Sequence, residues 1–535
     1  MKKKILKNKI VTNRRGLAIA LTVFIFLSML VSKNLQIQAG DVSEQSEDIS
    51  ISEENIPPLQ NAFLADFDED FIVGAAINGE TVDDPVRMEV VTKHFNAVTL
   101  ENELKPDAMF GYSNSACPGT EIVELNGEEL EVPILDYSRA EHILDKILEW
   151  NQVNPEKQIK VRGHVLIWHS QTPEWFFHKE YDKTQDYVGI EEMDKRQEWY
   201  IKTVLTHFTG PDSKYNGMFY GWDVVNEAVS DTGGKYRNDA EGGGDSLTDD
   251  IHNSKSSWWK IYQSSDYIVN AFRYANQYAP ADVELYYNDY NECQPSKVKG
   301  IVKLLEDVKA AEGTRIDGMG MQGHYQMYTP TTMDIEKAAK KYAEVVDKVQ
   351  ITELDVRASD GFDGSDEKFA KEMETQAKRY KGLYVSMKNM KQAGISVSGM
   401  TVWGVSDADS WLRDQSGIGG GNTGSTIQYP LLLDDDCQPK EAFWAIVEES
   451  GLEYDLDADE DAKDRDTSEA DADSMQSIND DAAGENEVDN ATGDSLLKNS
   501  GESGKNTGFF NVIMIVIWLG IVIAVTVILF GRKKK

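Results

Sequence analysis

Eight short runs rich in β-branched and aromatic residues recur along the middle of this sequence, and they constrain the fold more than any other feature. Amphipathic helical patterns separate several of them, such as "SRAEHILDKILEWNQ" before the third run and "SSDYIVNAFRYANQY" before the fifth. This alternation predicts parallel strands joined by crossover helices, and eight such units predict an α/β fold, the (β/α)8 TIM barrel. The runs begin at Phe71, Phe95, Ile159, Met218, Glu284, Asp317, Val349 and Gly399.

Polar residues collect at the C-terminal ends of these runs. Examples are "ENELK" after the second run, "YNDYN" in the fifth and "ELD" in the seventh. In a (β/α)8 barrel this end carries the active site. A doubly wound sheet is the alternative fold, but its Gly-rich nucleotide loop after a first strand is missing. We therefore expect these polar residues to meet a substrate.

Two carboxylates stand out among the residues at this face. Glu227 and Glu353 end the fourth and seventh runs and are 126 residues apart (353 minus 227). The sequence has no GxSxG elbow, P-loop, HExxH motif or metal-ligand spacing, so we expect no cofactor and no metal. Two carboxylates across a barrel mouth can flank a glycosidic bond, one as proton donor and one as nucleophile. For either residue alone a rim salt bridge is the alternative, but the pair in a cleft with many Trp and His favours catalysis.

Charge and cysteine content limit the possible partners. The chain has 535 residues, with 92 Asp and Glu against 54 Lys and Arg, and a formal net charge of −38. Nucleic acid is therefore not expected as a partner, because attraction to phosphates needs clustered Lys and Arg. Cys117, Cys293 and Cys437 are an odd number far apart, so they make no disulfide framework and no CxxC metal site.

Both ends of the chain carry membrane signals. A basic opening, an apolar run and the small residue Ala39 predict a signal peptide over residues 1–39, with an uncleaved anchor helix as the alternative. Residues 509–530 are long and apolar enough for a transmembrane helix, and residues 531–535 are a basic cytoplasmic tip. We expect this helix to hold the protein on the extracellular face of a bacterial cell membrane. Cell-wall attachment is the alternative, because the tail resembles a Gram-positive sorting signal but lacks its Leu-Pro pair.

The segments between these signals differ sharply in composition. Residues 40–58 are polar and predict a linker, whereas residues 59–451 contain all eight runs and predict the catalytic domain. Residues 452–508 are acidic and have no apolar period, so they cannot bury enough surface to offset the entropy of ordering the chain. We interpret them as a disordered stalk.

Seven motifs stand in order along the predicted barrel: "TLENELK", "RGHVLIWHSQTPEW", "WDVVNEA", "YNDYN", "MQGHY", "ITELDV" and "TVWGVSDADSW". Together they resemble the endo-β-1,4-xylanases of glycoside hydrolase family ten, over essentially the whole barrel. The resemblance implies xylan and xylo-oligosaccharides as substrates, and we expect a monomeric catalytic domain. It also implies that Glu227 is the general acid/base and Glu353 the nucleophile of an anomer-retaining double displacement. The two carboxyls should then lie about 5 to 5.5 Å apart.

The neighbours of the nucleophile also gain roles from this resemblance. Glu353 and Asp355 are two residues apart on a strand and face the same side, as do Gln322 and His324 on the strand before. We expect His324 to hydrogen-bond Glu353, with Asp355 fixing the tautomer of the imidazole, in line with the family.

Asn226, beside the predicted acid/base, looks like the amide that binds the sugar 2-hydroxyl. Adjacent residues on a regular strand face opposite sides, so the strand must twist or bulge for both Asn226 and Glu227 to reach the substrate.

The resemblance also assigns the residues that bind the remaining sugars. Trp403 and Trp411 are expected to pack at the centre of the cleft, and Tyr290 to stack on the leaving-group side. Asn288 and Asp289 are interpreted as structural supports of the fifth strand. On the non-reducing side, the expected residues are Glu101, Asn102, Lys105, His164, Trp168 and Gln171.

Two stretches depart from the family pattern: "ACPGTEIVELNGEELEVPILDYS" after the second run and "SDTGGKYRNDAEGGGDSLTDDIHNSKSS" after Glu227. Loops on this face shape the outer subsites, so they affect which substrate lengths fit. An endo-β-1,4-glucanase on the same barrel is one rival function, although "ENELK" with "WGVSDADSW" favours xylan. A non-catalytic xylan-binding surface protein is another, which the presence of both glutamates disfavours.

Overall fold

The computed structural model describes residues 56–239, 255–413 and 427–454. The predicted signal peptide, most of the linker, most of the stalk, the apolar C-terminal segment and the basic tip lie outside these residues. Within the described ranges no helix is both long and apolar enough to cross a membrane.

Eight of the strands in the described residues are parallel neighbours and close into a barrel, which confirms the (β/α)8 prediction. The barrel runs β1, β2, β5, β6, β7, β8, β10 and β11, and β11 pairs with both β10 and β1. All eight predicted runs coincide with these strands. The strands are β1 (Ile72–Ile77), β2 (Ala97–Leu100), β3 (Thr120–Leu125), β4 (Glu128–Pro133), β5 (Lys160–Trp168), β6 (Phe219–Asn226), β7 (Glu284–Asp289), β8 (Gly318–Met321), β9 (His324–Gln326), β10 (Lys348–Arg357) and β11 (Val397–Val402).

The helices alternate with these strands and bury one apolar face each. In the helix Ser138–Val153, for example, Ile143, Leu144 and Ile147 are buried on one side, as expected from an amphipathic pattern. The predicted helices before the third and fifth barrel strands are both present. The helices are α1 (Leu59–Asp66), α2 (Gly79–Asp83), α3 (Pro85–His94), α4 (Pro106–Met109), α5 (Ser138–Val153), α6 (Ile190–Thr209), α7 (Ser257–Tyr262), α8 (Asp266–Tyr278), α9 (Pro295–Ala310), α10 (Thr332–Ala343), α11 (Asp366–Gln392) and α12 (Glu441–Ser450).

Close packing between neighbouring barrel strands depends on glycine at one position of β5. Gly163 lies opposite Trp222 of β6, and the indole of Trp222 is fully buried. A Cβ atom on Gly163 would come within 2.1 Å of that ring. The absence of a side chain at residue 163 therefore makes the space that the indole fills.

The first departure from the family pattern forms an antiparallel ribbon of β3 and β4. Its turn is Asn126-Gly127, with φ of 55° and 86°, the pair of positive values that a two-residue hairpin favours. The ribbon packs on α6 through a hydrogen bond from Asn126 to Glu198 and an ion pair of 2.8 Å between Lys195 and Glu128. It is therefore attached to an outer helix of the barrel.

Candidate active site

A cleft of about 1130 Å³ opens at the C-terminal ends of the barrel strands. Asp355 lies behind the surface of this cleft, in contact with His324. No residue of the β3–β4 ribbon is among the described residues that line the cleft, whereas Asp231, from the second departure, does line it. Every other predicted site residue lines the cleft: Glu101, Asn102, Lys105, His164, Trp168, Gln171, Asn226, Glu227, Tyr290, Gln322, His324, Glu353, Trp403 and Trp411.

Glu353 of β10 is buried and held by two donors. Its Oε2 lies 3.1 Å from Nε2 of His324, and its Oε1 accepts a hydrogen bond of 2.7 Å from Nδ2 of Asn288. Burial disfavours the charged carboxylate, but the hydrogen bond from His324 and the electrostatic influence of His164, His324 and Lys105 outweigh it. The pKa of Glu353 is thereby lowered from 4.5 to about 2. The side chain is an anion at neutral pH.

His324 lies between two carboxylates. Its Nδ1 is 2.8 Å from Oδ2 of Asp355, which also accepts a hydrogen bond of 2.9 Å from Nε1 of Trp411. Burial alone would lower the pKa of His324, but Asp355 and Glu353 raise it well above the ordinary value. The imidazolium donates one N–H to each carboxylate, so its ring orientation is determined from both sides.

A second imidazole approaches Glu353 from β5. Nε2 of His164 lies 3.9 Å from Oε1 of Glu353, and its Nδ1 is 2.9 Å from Oδ2 of Asp223. Arg162 donates two hydrogen bonds to Asp223, and its guanidinium lies 4.2 Å from the ring centroid of Tyr286. Neither Arg162 nor Asp223 was predicted from the sequence. The sequence pattern that could have identified Arg162 is its spacing: Arg162 and His164 are two residues apart on one strand, so their side chains share a face.

Glu227 follows the last residue of β6 in a left-handed backbone conformation, with φ of 55°. Its peptide N–H donates to the carbonyl of Asn288 and its own carbonyl accepts from Nε of Arg237, both at 2.9 Å. Such a conformation is uncommon for a residue with a side chain, and these two bonds stabilise it. The β6–β7 register also shifts between Asp223 and Val225. This departure from regular alternation lets the adjacent residues Asn226 and Glu227 both face the cleft.

The carboxylate of Glu227 accepts hydrogen bonds from three side chains. Nε1 of Trp168 donates to Oε2 at 3.0 Å, and Nε2 of Gln322 donates to Oε1 at 3.0 Å. Nδ2 of Asn226 lies 3.3 Å from the same Oε1. The carboxylate is therefore oriented by neighbours from three different strands or strand ends.

Asn288 and Asp289 have different environments, and the supporting role assigned to both describes only Asp289. Asp289 is fully buried, pairs with Lys297 at 2.9 Å, and accepts from Tyr287. Burial raises the pKa of Asp289 to about 6, against the opposing charge of Lys297. Asn288 instead contacts Glu353 directly and also donates to Oδ1 of Asn226 at 3.1 Å. Spacing could again have placed Asn288 in the site, because Asn288 is two residues before the predicted site residue Tyr290 at a strand end.

The two arms of the cleft combine polar edges with aromatic faces. On one arm, Nζ of Lys105 donates to Oδ1 of Asn102 at 3.0 Å and lies 5.2 Å from the ring centroid of Trp168. At the centre, the ring of Trp403 stands edge-on to His164, with centroids 5.6 Å apart. Aromatic faces with a few placed polar groups are typical of sites that bind sugars and other small ligands.

Within the described part of the chain, no group of three or more His, Cys, Asp or Glu residues has the arrangement of a metal site. Cys117, Cys293 and Cys437 are all free thiols.

Comparison with known proteins gives consistent matches over the barrel. The model for glycosyl hydrolase family 10 matches residues 62–449. Endo-1,4-beta-xylanase Y of Acetivibrio thermocellus is 34% identical over 404 residues, which are 74% of this chain and 33% of that protein. The chain thus spans about a third of the length of that relative. The endo-1,4-beta-xylanase of Geobacillus stearothermophilus is 30% identical over 397 residues, which are 74% of this chain and 98% of that protein.

The solved structures that resemble this fold include members of the same family. A structure of a family 10 glycoside hydrolase from Paenibacillus barcinonensis has a TM-score of 0.57 and 33% sequence identity. The match covers 75% of this chain and 99% of that one. The similarity therefore spans almost the whole of the solved chain.

Proposed function

The chain belongs to glycosyl hydrolase family 10, and from that membership we propose that it is an endo-1,4-β-xylanase that cleaves xylan and xylo-oligosaccharides with retention of anomeric configuration. One observation carries the proposal: Glu227, directly after β6, and Glu353, within β10, line one cleft and are each held by their own hydrogen-bond donors. Names of the relatives support the choice of xylan as substrate.

In the first step, Glu353 attacks the anomeric carbon and Glu227 gives a proton to the departing glycosidic oxygen. The low pKa of Glu353, about 2, supports its role as the attacking group because it is ionised at neutral pH. Its hydrogen bonds to His324 and Asn288 limit the rotation of the carboxylate before attack. The product of this step is a xylosyl ester on Glu353.

In the second step, Glu227 removes a proton from water, and the water displaces the ester from the anomeric carbon. Once the ester has formed, Glu353 no longer carries a negative charge, and this favours the ionised form of Glu227 as a base. Trp168 and Gln322 hold the Glu227 carboxylate in both steps. One side chain can therefore act first as acid and then as base without moving.

Asn226 contributes an amide to the sugar beside the broken bond. Its Oδ1 accepts from Gln322 and Asn288, both at 3.1 Å, so its Nδ2 is directed towards Glu227 and the cleft. A hydrogen bond from this amide to the 2-hydroxyl would strengthen as the oxocarbenium-like state develops. This supports Asn226 as a contributor to the rate as well as to binding.

The test is product analysis on xylan and on a soluble β-1,4-glucan in parallel, with the anomeric configuration followed by NMR during the first minutes. We expect short xylo-oligosaccharides with the β-anomer in initial excess. Glu353→Gln, which keeps the side-chain shape, is the control and should be inactive on both polymers. Predominant glucan cleavage would replace the proposed substrate by that of an endo-glucanase, and an initial α-anomer would overturn the retaining mechanism.

For location, we propose that the barrel is secreted as a monomeric catalytic domain and held on the extracellular face of a bacterial cell membrane by residues 509–530. The support is the order of basic, apolar and small residues in the sequence. Fractionation of cells tests this: detergent should release the protein, and removal of residues 509–535 should send it into the medium. Release by wall digestion without detergent would instead indicate cell-wall attachment.

A further inference from the structure

Tyr290, at the leaving-group arm of the cleft, is held by charged side chains at both its tip and its face. Its hydroxyl donates to Oδ2 of Asp231 at 2.6 Å and accepts from Nη2 of Arg237 at 3.3 Å. Nζ of Lys297 lies 3.6 Å from the ring centroid. A tyrosine on a cleft wall normally has two free torsions, and these contacts restrict both.

Lys297 and Asp231 form the charged core of this arrangement. The side chain of Lys297 is fully buried, and its Nζ lies 2.9 Å from both Oδ1 of Asp231 and Oδ1 of Asp289. Burial alone would raise the pKa of Asp231, but Lys297 and the bonds from Tyr290, Lys297 and Asn291 lower it. Asp231 therefore stays ionised, and a buried ammonium with two carboxylate partners is expensive to rearrange.

Asp231 belongs to the loop after Glu227, whereas Lys297 belongs to α9, and the two elements touch. A Cβ atom on Gly300 of α9 would lie 2.1 Å from the carbonyl oxygen of Gly234. Gly234 itself has φ of 64°, and a Cβ there would lie 1.9 Å from the carbonyl oxygen of Ser296. Glycine at both positions lets the loop lie directly on the start of the helix, which brings Asp231 to Lys297.

The same loop also connects Tyr290 with Glu227. Arg237 donates through Nε to the carbonyl of Glu227 at 2.9 Å and through Nη2 to the hydroxyl of Tyr290. A single guanidinium thus bridges the residue proposed as acid/base and the ring proposed to stack on the leaving-group sugar. Movement of the ring would disturb a group that also holds the backbone of Glu227.

We propose that Asp231 and Lys297 are positioning residues that fix Tyr290 as the platform for the sugar on the leaving-group side. They thereby determine how strongly the enzyme binds the leaving oligosaccharide in the first step. In the second step, they determine how strongly it binds an acceptor sugar that can take the xylosyl group instead of water. The inference rests on the proposed xylanase function, and it gives the described part of the loop after Glu227 a defined task in that reaction.

Asp231→Ala in the full chain tests the proposal, with Asp307→Ala as the matched control. Asp307 of α9 accepts from the hydroxyl of Tyr236, in the loop after Glu227, at 2.6 Å and from Nζ of Lys303 of α9. It therefore forms the same kind of Tyr-Asp-Lys group, away from the residues that line the cleft. Both variants lose a hydrogen bond from a tyrosine hydroxyl and an ion pair with a lysine, and Asp231→Ala also loses the hydrogen bond of 3.3 Å from Nδ2 of Asn291. Only Asp231→Ala should change the behaviour of sugars on the leaving-group side.

Two substrates separate positioning from a general loss of structure. β-Xylobiosyl fluoride has a single-atom leaving group, whereas xylopentaose places sugars on Tyr290. We expect Asp231→Ala to lower kcat/KM about tenfold on xylopentaose, the loss typical of a hydrogen bond to a charged group, with less than about a twofold change on the fluoride. With xylobiose added as acceptor, the ratio of transfer to hydrolysis from the fluoride should fall by a similar factor. Asp307→Ala should behave as the wild type.

The ratio of transfer to hydrolysis, the partition ratio, also separates this role from damage to Glu227. A weakened base slows transfer and hydrolysis alike and leaves the ratio unchanged. Equal losses on both substrates, or an unchanged partition ratio, would overturn the inference. In a Tyr290→Ala background, Asp231→Ala should cause no further loss, since it acts through the ring; additive losses would also overturn it. If Asp231→Ala does not fold, Asp231→Asn removes only the charge and should shift the ratio in the same direction.

The wild-type protein keeps the two proposals distinguishable. Cleavage of xylopentaose by the wild type, together with an unaffected Asp231→Ala variant, would overturn the positioning role alone. Failure of the wild type to cleave xylopentaose or xylan would overturn the proposed function and this inference with it.

Discussion

Nδ2 of Asn288 donates a hydrogen bond of 2.7 Å to Oε1 of Glu353, the proposed nucleophile. The second hydrogen of the same amide goes to Oδ1 of Asn226, and Oγ1 of Thr352 donates to Oδ1 of Asn288 at 2.6 Å. Nδ2 of Asn288 thus donates two hydrogen bonds, and Oδ1 of the same amide accepts one. The residue joins the nucleophile to the amide proposed to bind the 2-hydroxyl.

Asn288→Ala should lower kcat/KM on xylan by about tenfold to a hundredfold, because a hydrogen bond to a charged group contributes roughly 1.5 to 3 kcal/mol. Steady-state kinetics on xylan measure the change. Asn276→Ala on α8 is the control, since that side chain bonds to Gly313 and Arg315 outside the cleft. Kinetics unchanged from the wild type would show that Asn288 is only a support of β7.

Glu227→Ala should separate the two chemical steps. An aryl β-xylobioside has a leaving group that needs little protonation, so the ester on Glu353 should still form, and it should then persist because no base activates water. Mass spectrometry of the intact protein detects the added xylobiosyl group. Glu353→Gln should show no adduct under the same conditions. Loss of the first step as well would argue against the acid/base role.

The pH dependence of kcat/KM should respond to His324. Because the pKa of Glu353 is lowered to about 2, its ionised form contributes stability above pH 4.5 that is lost as the pH falls towards 2. His324→Asn keeps a donor but removes the positive charge, so the pKa of Glu353 should rise and the acidic limb of the profile should move to higher pH. His142→Asn, at an exposed ion pair with Asp83, is the control. An unmoved limb would mean that His324 does not tune the nucleophile.

Gly163→Ala should destabilise the barrel by roughly 1 to 3 kcal/mol or more, because the new methyl group would lie 2.1 Å from the indole of Trp222. Urea unfolding measures the change. Gly79→Ala is the control, since a Cβ at residue 79 meets nothing within 4 Å and alanine favours the helix. Equal stability of the two variants would show that β5 and β6 can separate without cost.

Much of the site was predictable from order and spacing along the chain. The eight strands were predictable because each carries its own β-rich run, and so was the position of Glu227 at the end of a strand. Glu353 was expected to end its strand, but β10 continues to Arg357. The roles of Asn288, Asp231 and Arg237 were not predictable. Each depends on a partner from another element, as in the contact of Asn288 with Glu353, 65 residues further along the chain.

The second departure from the family pattern illustrates the same limit. Its Gly-rich composition indicated a loop, but nothing in the letters "SDTGG" predicts that Asp231 reaches Lys297 and Tyr290. The β3–β4 ribbon shows the limit in another form. Its Asn-Gly turn is a local sequence signal for a hairpin, but its position, away from the residues that line the cleft, depends on its contacts with α6.

By itself, the sequence determined the parallel barrel and the face on which its polar residues gather, because strand and helix patterns depend on neighbours a few residues apart. Only the tertiary structure decided which of those polar groups touch. The facing of Asn226 and Asn288 depends on the register of β6 against β7, and Glu227 reaches the cleft through a left-handed backbone conformation. Register and backbone conformation at a strand end are set by packing across the closed barrel, where contacts between distant residues outweigh local preference.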